Sequence, residues 1–222
     1  IPYPAAGSTD VFGRTLAQRL AISLNATVVV DNKPGATGTI GGAFVAKAAA
    51  DGHTVLHTTI GAQTIAPHLM GKLPYDTLHD LEPVALVGTI PHVLVVSASQ
   101  PFKSVADVLQ AAKAKPGELA FASGGNGTIL HLAAEMFLDE SKTSAKHIPY
   151  KGVGPMVTDL LGGQVEFATV ALPSVQQHIK SGALRAIGMC GSQRVAAAPE
   201  IPTFNEQGLT GYSVEVLFAV IG

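Results

Sequence analysis

Polar, glycine-rich turns stand between apolar segments at several places in this chain, and they are its most informative chemistry. The first is Pro4-Ala5-Ala6-Gly7-Ser8-Thr9-Asp10. The second is Asn32-Lys33-Pro34-Gly35-Ala36-Thr37-Gly38-Thr39-Ile40-Gly41, and the third Ser123-Gly124-Gly125-Asn126-Gly127-Thr128. Softer examples are Thr58-Thr59-Ile60-Gly61-Ala62, Tyr150-Lys151-Gly152-Val153-Gly154-Pro155 and Leu172-Pro173-Ser174. Glycine lets backbone approach a ligand with no Cβ in the way. A helix that starts at such a turn presents unpaired N–H groups and a partial positive charge. Several such starts make an anion site that needs no arginine. The turns fit this economy, because their only cations are Lys33 and Lys151. A hydrogen bond to a charged group contributes about 1.5–3 kcal/mol, so about five supply the roughly 8 kcal/mol of a micromolar site before ordering costs. The competing reading of any one turn is plain helix capping by Ser8, Thr9, Asp10, Asn126 or Ser174.

Asp10 cannot attract an anion. Its expected role is to accept hydrogen bonds from a neighbouring turn and hold both loops in place. From the first turn the candidate ligand-binding residues are Gly7, Ser8 and Asp10, and from the second Ala36, Gly38 and Thr39. Thr59 follows from the strand end after His57. Later in the chain the candidates are Gly125, Asn126, Gly127, Thr128, Tyr150 and Ser174, with His131, one turn into the helix after Thr128, as a weaker one.

Other chemistry is excluded by pattern. The eight histidines contain one H-x-x-x-H spacing, His53 and His57, and no H-E-x-x-H. That pair brackets an expected strand, where four steps separate the side chains by roughly 13 Å, too far to share an ion. Neither a G-x-S-x-G elbow nor a G-x-x-x-x-G-K-[ST] loop occurs, and Gly35-Ala36-Thr37-Gly38-Thr39-Ile40-Gly41 lacks the spacing of a dinucleotide fingerprint. Cys190, the single cysteine, follows an apolar stretch and reads as core filling. No catalytic residue, metal or cofactor is expected.

The elements that must position these turns alternate. Strands are expected at 27–31, 54–57, 93–97, 145–149, 165–169, 184–189 and 212–221. Helical patterns cover 40–50, 104–114, 129–139, 153–161 and 174–180. A first helix places Val11, Leu16, Leu20 and Leu24 on its apolar face. Alternation of this kind predicts parallel sheets with helices on both faces. The polar stretch at 98–101 and the Pro- and Gly-containing segment 199–211 mark two crossings. The expected lobes are therefore 1–97 plus 213–222, and 98–212. Of 222 residues, 47% are hydrophobic and 14% charged, with a net charge of −2. That permits a large core and offers no basic stripe for nucleic acid. No apolar run reaches the roughly 20 residues of a membrane span. Both ends read as cut, the first at a strand end and the last inside an apolar run.

At these turns the chain resembles the Bug family of receptors, also called the TctC family, of tripartite tricarboxylate transporters. The family pattern P-x-G-G-x-x-D is similar to residues 4–10, and E-N-[RK]-P-G-A-x-G-x-x-G to residues 31–41. D-G-[YH]-T-L-L is similar to 51–56, and L-P-Y-D-P-x-x-D-[FL]-x-P-V to 73–84. G-x-G-[ST]-x-x-H-L is similar to 125–132, and P-Y-K-G-x-x-P-x-x-x-D-L-[LI]-[GS]-G-x-V to 149–165. The tail signature at 199–208 matches too. The resemblance implies an α/β, type II periplasmic-binding-protein-like fold, with two lobes joined by two crossing strands, each lobe with a mainly parallel sheet flanked by helices. It implies a non-enzymatic, monomeric periplasmic receptor. Such a receptor holds a small mono- or dicarboxylate between its lobes, with waters bridging it to the first-lobe loops, and hands it to membrane permease subunits. The alternative is an effector-sensing domain of the same fold feeding a regulator or sensor kinase. Ala6, Asp31 and Thr77 depart from the pattern. Ile60, Ala66, Val170 and Ala171 stand where relatives carry polar residues, which predicts a more apolar pocket and admits an aromatic or aliphatic carboxylate.

Overall fold

The computed structural model describes every residue except Ala6, with residues 60–62 as backbone only. The chain divides into two compact units, Ile1–Thr89 with Leu217–Gly222, and Ile90–Val216. In order, the first unit contains α1 (Ser8–Leu24), a 3-10 turn (Ala36–Gly38), α2 (Thr39–Ala46), β1 (Leu56–Thr59), α3 (Ile60–Leu69) and β2 (Pro83–Ile90). The second holds β3 (His92–Ser97), α4 (Val105–Ala114), β4 (Ala120–Ser123), α5 (Ile129–Glu140), β5 (Lys146–Pro149), α6 (Val153–Leu161), β6 (Phe167–Ala171), α7 (Leu172–Lys180) and β7 (Leu184–Met189). β8 (Val216–Ile221) then returns to the first unit.

The second unit is a five-stranded sheet in the order β5-β4-β6-β3-β7. All six residues of β3 are buried, as expected of a strand covered on both faces. Side-chain alternation sends Val93 and Val95 to one face and Leu94 and Val96 to the other. The first pair packs with Met156, Leu160 and Val175 from α6 and α7. The second packs with Val108 of α4 and Phe137 of α5. Phe137 meets Phe167 and Phe204 edge-on, with ring centroids 6.0 and 5.4 Å apart. Cys190 lies wholly buried in this core, where burial pushes its thiol up to about 12. It is an inert filler.

Three expectations need correction here. The sheet is mixed: β4 runs parallel to β5 and β6, whereas β3 runs antiparallel to β6 and β7. A strand that enters the sheet directly from the other unit has no helical crossover to reverse it, so it need not run parallel. β3 was expected in the first lobe, yet it sits between β6 and β7 in the second unit's sheet. The expected strand at 27–31 is not formed. Among the described residues Ile1 pairs with it, through Ile1 N to Asp31 O at 2.7 Å and Lys33 N to Ile1 O at 2.9 Å. With no further ladder described beside it, Val29 is left 81% exposed.

The first unit's sheet has the order β1-β8-β2, with β1 and β8 antiparallel and Leu56 opposite Ile221. Its core is small: Val45, Leu56, Tyr75, Leu81 and Ile221. α1 does not bury the Val11–Leu24 face that periodicity suggested, because both of those residues are exposed. The buried stripe is Thr9, Asp10, Gly13 and Ala17. Small side chains there let the helix lie close on β1. A Cβ on Gly13 would stand 2.8 Å from His57 Cδ2. His57 packs against Phe12 and Phe218, at 5.7 and 5.9 Å, and those two rings meet each other edge-on at 5.8 Å.

The buried histidines set an acid limit on stability. Burial pushes His92 from its ordinary value of about 6.5 down to about 4, while its Nδ1 keeps a 2.9 Å contact with Ile90 O. A depressed pKa means the unfolded chain takes up the proton first. Stability is therefore complete above about pH 6.5 and falls between there and about pH 4, by about 3 kcal/mol for this residue. Chemical denaturation at stepped pH should show that slope, and His92→Gln should flatten it.

Candidate functional site

In the first unit, three separate pieces of chain are tied together by one polar network. Asp10 lies in the first turn of α1, and its side chain is only 4% exposed. Its Oδ2 accepts from Arg14 Nε at 3.0 Å, one helical turn on, and its Oδ1 from Asn32 Nδ2 at 2.9 Å. Asn32 also donates to Tyr3 O at 3.0 Å and accepts from Arg14 at 2.9 Å through its Oδ1. Tyr3 then reaches the end of β1, where its hydroxyl and that of Thr59 lie 2.8 Å apart. Burial pushes the Tyr3 phenol up, so it remains a neutral hydroxyl. Two hydroxyls sharing one hydrogen bond use one proton between them and leave one to offer. The candidates Asp10 and Thr59 are thus brought into one cluster, with Gly7 as N-cap and Ser8 at the helix start beside Asp10. Val11 N–H is taken up by Gly7 O at 3.0 Å, so the N–H groups of Ser8 and Thr9 lie ahead of the helix's own ladder.

The second turn is held in an unusual backbone. Gly35 and Gly38 have φ of 124° and 94°, but Ala36 and Thr37 between them also sit at positive φ, 45° and 57°. Non-glycine residues there cost on the order of 1–3 kcal/mol each and persist only where the surroundings hold them. Gly38 N–H to Gly35 O at 2.9 Å and Thr39 Oγ1–H to Ala36 O at 2.9 Å do so. The Thr39 hydroxyl proton is spent on the loop, which corrects its expected role as a hydroxyl donor to ligand. The turn's cation is also occupied: Lys33 Nζ lies 2.9 Å from Asp31 Oδ2 and 4.2 Å from the Phe44 ring centroid.

In the second unit, the turn after β4 is tied at both ends. Ser123 Oγ donates to Gly125 O at 3.1 Å and lies 2.7 Å from His147 Nε2. Thr128 caps α5, giving its proton to Gly125 O at 2.8 Å and accepting from His131 N–H at 3.4 Å. Gly127 N–H donates to His131 Nδ1 at 3.2 Å, and His131 Nε2 faces Glu135 Oε1 at 3.3 Å. Both nitrogens of His131 are therefore committed within the protein. Its expected part as a ligand contact is corrected to a part in holding the turn. Tyr150 is corrected likewise. Its one hydroxyl proton goes to Asp159 Oδ2 at 2.7 Å, and burial with that carboxylate pushes the phenol up to about 12. Asn126 is exposed at the tip of the turn. Ser174 stands half-buried in the first turn of α7.

Reading of the sequence missed Tyr3, Asn32 and Arg14 in the first unit, and Ser123, Glu135, His147 and Asp159 in the second. Two signals were legible. Arg14 stands four residues after Asp10, the spacing of a helical ion pair, and Asn32 and Ser123 open the second and third turns. The residues of the expected polar-to-apolar changes are buried where their side chains are described. Val170 packs with Met156 and Val175 in the core, and Ala66 and Ala171 are buried too. The departures at Ala6 and Ile60 lie outside the described residues and side chains.

Asn32 carries three bonds that join two turns. Asn32→Ala should lower stability by about 1–3 kcal/mol in urea denaturation, since it leaves one oxygen of a buried carboxylate without this donor. Asn32→Asp, which sets a second carboxylate against Asp10, should be worse than Asn32→Ala.

The sequence model described as tripartite tricarboxylate transporter family receptor, TctC, matches residues 12–222. Protein BugT of Bordetella pertussis is 42% identical over 222 residues, covering all of this chain and 68% of the relative. A protein from the tcbD-tcbE intergenic region of Pseudomonas sp. is 37% identical, covering 96% of this chain and 64% of the relative. The chain thus spans about two thirds of the length of these curated relatives. Among solved structures, R. palustris Rpa4515 with adipate superposes with a TM-score of 0.95 at 31% identity, over all of this chain and 74% of that one. The chain belongs to the TctC family of tripartite tricarboxylate transporter receptors, which are solute-binding proteins and not enzymes.

Proposed function

We propose that this chain binds a small carboxylate through neutral donors of the turns described above and serves as a periplasmic receptor that passes it to membrane permease subunits. The observation that carries the reading is the Thr59–Tyr3–Asn32–Asp10–Arg14 network. It spends the one buried negative charge of the turn cluster on internal bonds. What it leaves for a ligand are N–H groups at the start of α1 and one hydroxyl proton of the Tyr3–Thr59 pair. Such donors suit an anion and carry no fixed charge that would have to be desolvated. Gly7, Ser8 and Thr59 in the first unit, and Asn126 and Ser174 in the second, are the proposed ligand contacts; the N–H groups of Gly125 and Gly127 go to Ser123 Oγ and His131 Nδ1, both at 3.2 Å, and hold their turn. Ala36 and Gly38 shape the second turn. Asp10, Thr39, Thr128, His131 and Tyr150 hold the loops.

The bound relatives support the substrate class: one solved structure of the family holds adipate, and another, MatC of Rhodopseudomonas palustris, holds malate. Family members are periplasmic solute-binding proteins, which supports the same placement for this chain. A monomer suffices for the function.

Isothermal titration against succinate, adipate, malate and benzoate, with adipamide as the uncharged control, tests this reading. At least one carboxylate should bind with a Kd of about 1 μM or tighter, roughly 8 kcal/mol, and adipamide should not. Equal binding of adipamide, or no carboxylate binding, would overturn it. Thr59→Val leaves the Tyr3 hydroxyl without the partner that positions it and should weaken that binding by about tenfold, in line with one misplaced hydrogen bond to a charged group.

A further inference from the structure

The two imidazoles near the turn of residues 123–128 form a device that the binding reading does not use. His131 and His147 are stacked face to face, with centroids 3.9 Å apart and planes 15° from parallel. Phe121 lies beside the pair, 4.8 Å from His147 and 6.2 Å from His131. Each ring holds one end of the same turn. His147 Nε2 meets Ser123 Oγ, which donates to Gly125 O, and His131 Nδ1 accepts from Gly127 N–H. An acceptor lone pair on Nδ1 exists only while His131 is neutral with its proton on Nε2. Protonation turns Nδ1 into a donor, facing the N–H of Gly127, and the turn then loses this tie while those of Ser123 and Thr128 to Gly125 O remain.

We propose that His131 is a positioning residue for residues 125–128 and that its protonation state couples ligand binding to pH. Neutral His131 holds the turn in its binding form, and charged His131 releases it. Binding of ligand and binding of a proton at His131 then oppose each other, so affinity falls as pH falls. The inference rests on the assignment of this turn to the carboxylate site.

The groups that face His131 fix the sign. Glu135, on its own helix, faces Nε2 at 3.3 Å. His147, from β5, covers its face. Burial and the neighbouring ring push His147 down to about 4, so the stack presents no second cation over most of the range in which histidines ordinarily titrate, about pH 5–8. β4 contributes Phe121 and Ser123, which carry no charge. Glu135 is thus the acidic group that stands against the ring whose neutral form the Gly127 bond requires. A direct attraction between a charged His131 and an anionic ligand would act in the opposite sense, and the direction of the pH profile separates the two.

The test compares the full chain with His131→Asn and His131→Ala, titrated with adipate between about pH 8 and pH 5.5. Protonation of adipate is common to all three and cancels in their ratios. Asn offers an oxygen to Gly127 N–H but does not titrate, so it should recover part of the affinity that Ala loses. Relative to Asn, the natural chain should lose about tenfold in affinity across the range. Coincident profiles, or affinity that rises on acidification relative to Asn, overturn the inference. A second measurement needs no ligand. The Gly127 amide 1H–15N resonance of the free protein should titrate in the natural chain and not in His131→Asn, and a pH-independent resonance also overturns it. If that resonance titrates while no carboxylate binds at pH 8, the proton-linked turn stands and the carboxylate reading fails.

Discussion

A carboxylate that is almost wholly removed from water must find its donors inside the protein, and the loop cluster of the first unit is organised around that demand. Asp10 satisfies its two oxygens with Arg14 and Asn32. Because Asn32 has further hydrogen-bonding atoms, it extends the network to Tyr3, and Tyr3 extends it to Thr59. Positions far apart in sequence are thereby locked to one buried charge. The price of burying that charge is offset within the loops themselves. The small residues of α1 serve the same end, since only Gly13 and Ala17 on its inner face allow the helix to bring Asp10 so close to the sheet.

The two units solve different problems. The second has two extensive cores, one on each face of its sheet, in which aromatic residues from α5, β4 and β6 interlock with Phe204 and Tyr212. The first has a modest core and relies far more on polar ties between loops. In each, the glycine-rich turn is fixed by side chains that reach back to the backbone: Thr39 to Ala36 O, and Thr128 to Gly125 O. The recurrence is physical. A carbonyl that a turn takes out of water needs a partner, and in both turns a threonine hydroxyl supplies it.

Much of this was legible in the residues. The α/β class, the limits of β7 and the starts of α4, α5 and α6 follow from apolar periodicity and capping. Ser104 with Asp107 forms a capping box that is visible in the sequence. Where periodicity failed, a specific competitor won. On α1 the Val11 and Leu24 stripe is the more hydrophobic, but packing selected the smaller face. β2 escaped notice because it is exposed along most of its length, and β4 because it has only four residues, two of them alanine. α3 contains Pro67, which argues against a helix from sequence alone. The turns themselves were read correctly as elements, but which hydroxyl gives its proton to which oxygen is decided by three-dimensional neighbours. Spacing could not show that Tyr150 meets Asp159, or that His147 lies on His131.

The second unit is one uninterrupted stretch of chain, Ile90–Val216, while the first is assembled from two pieces. The whole of one sheet, both of its helical layers and the turns at 123–128, 149–155 and 171–174 therefore travel together in a single block of coding sequence. One recombination event with breakpoints near the two crossings would exchange that entire set of loops and leave the Asp10 network untouched.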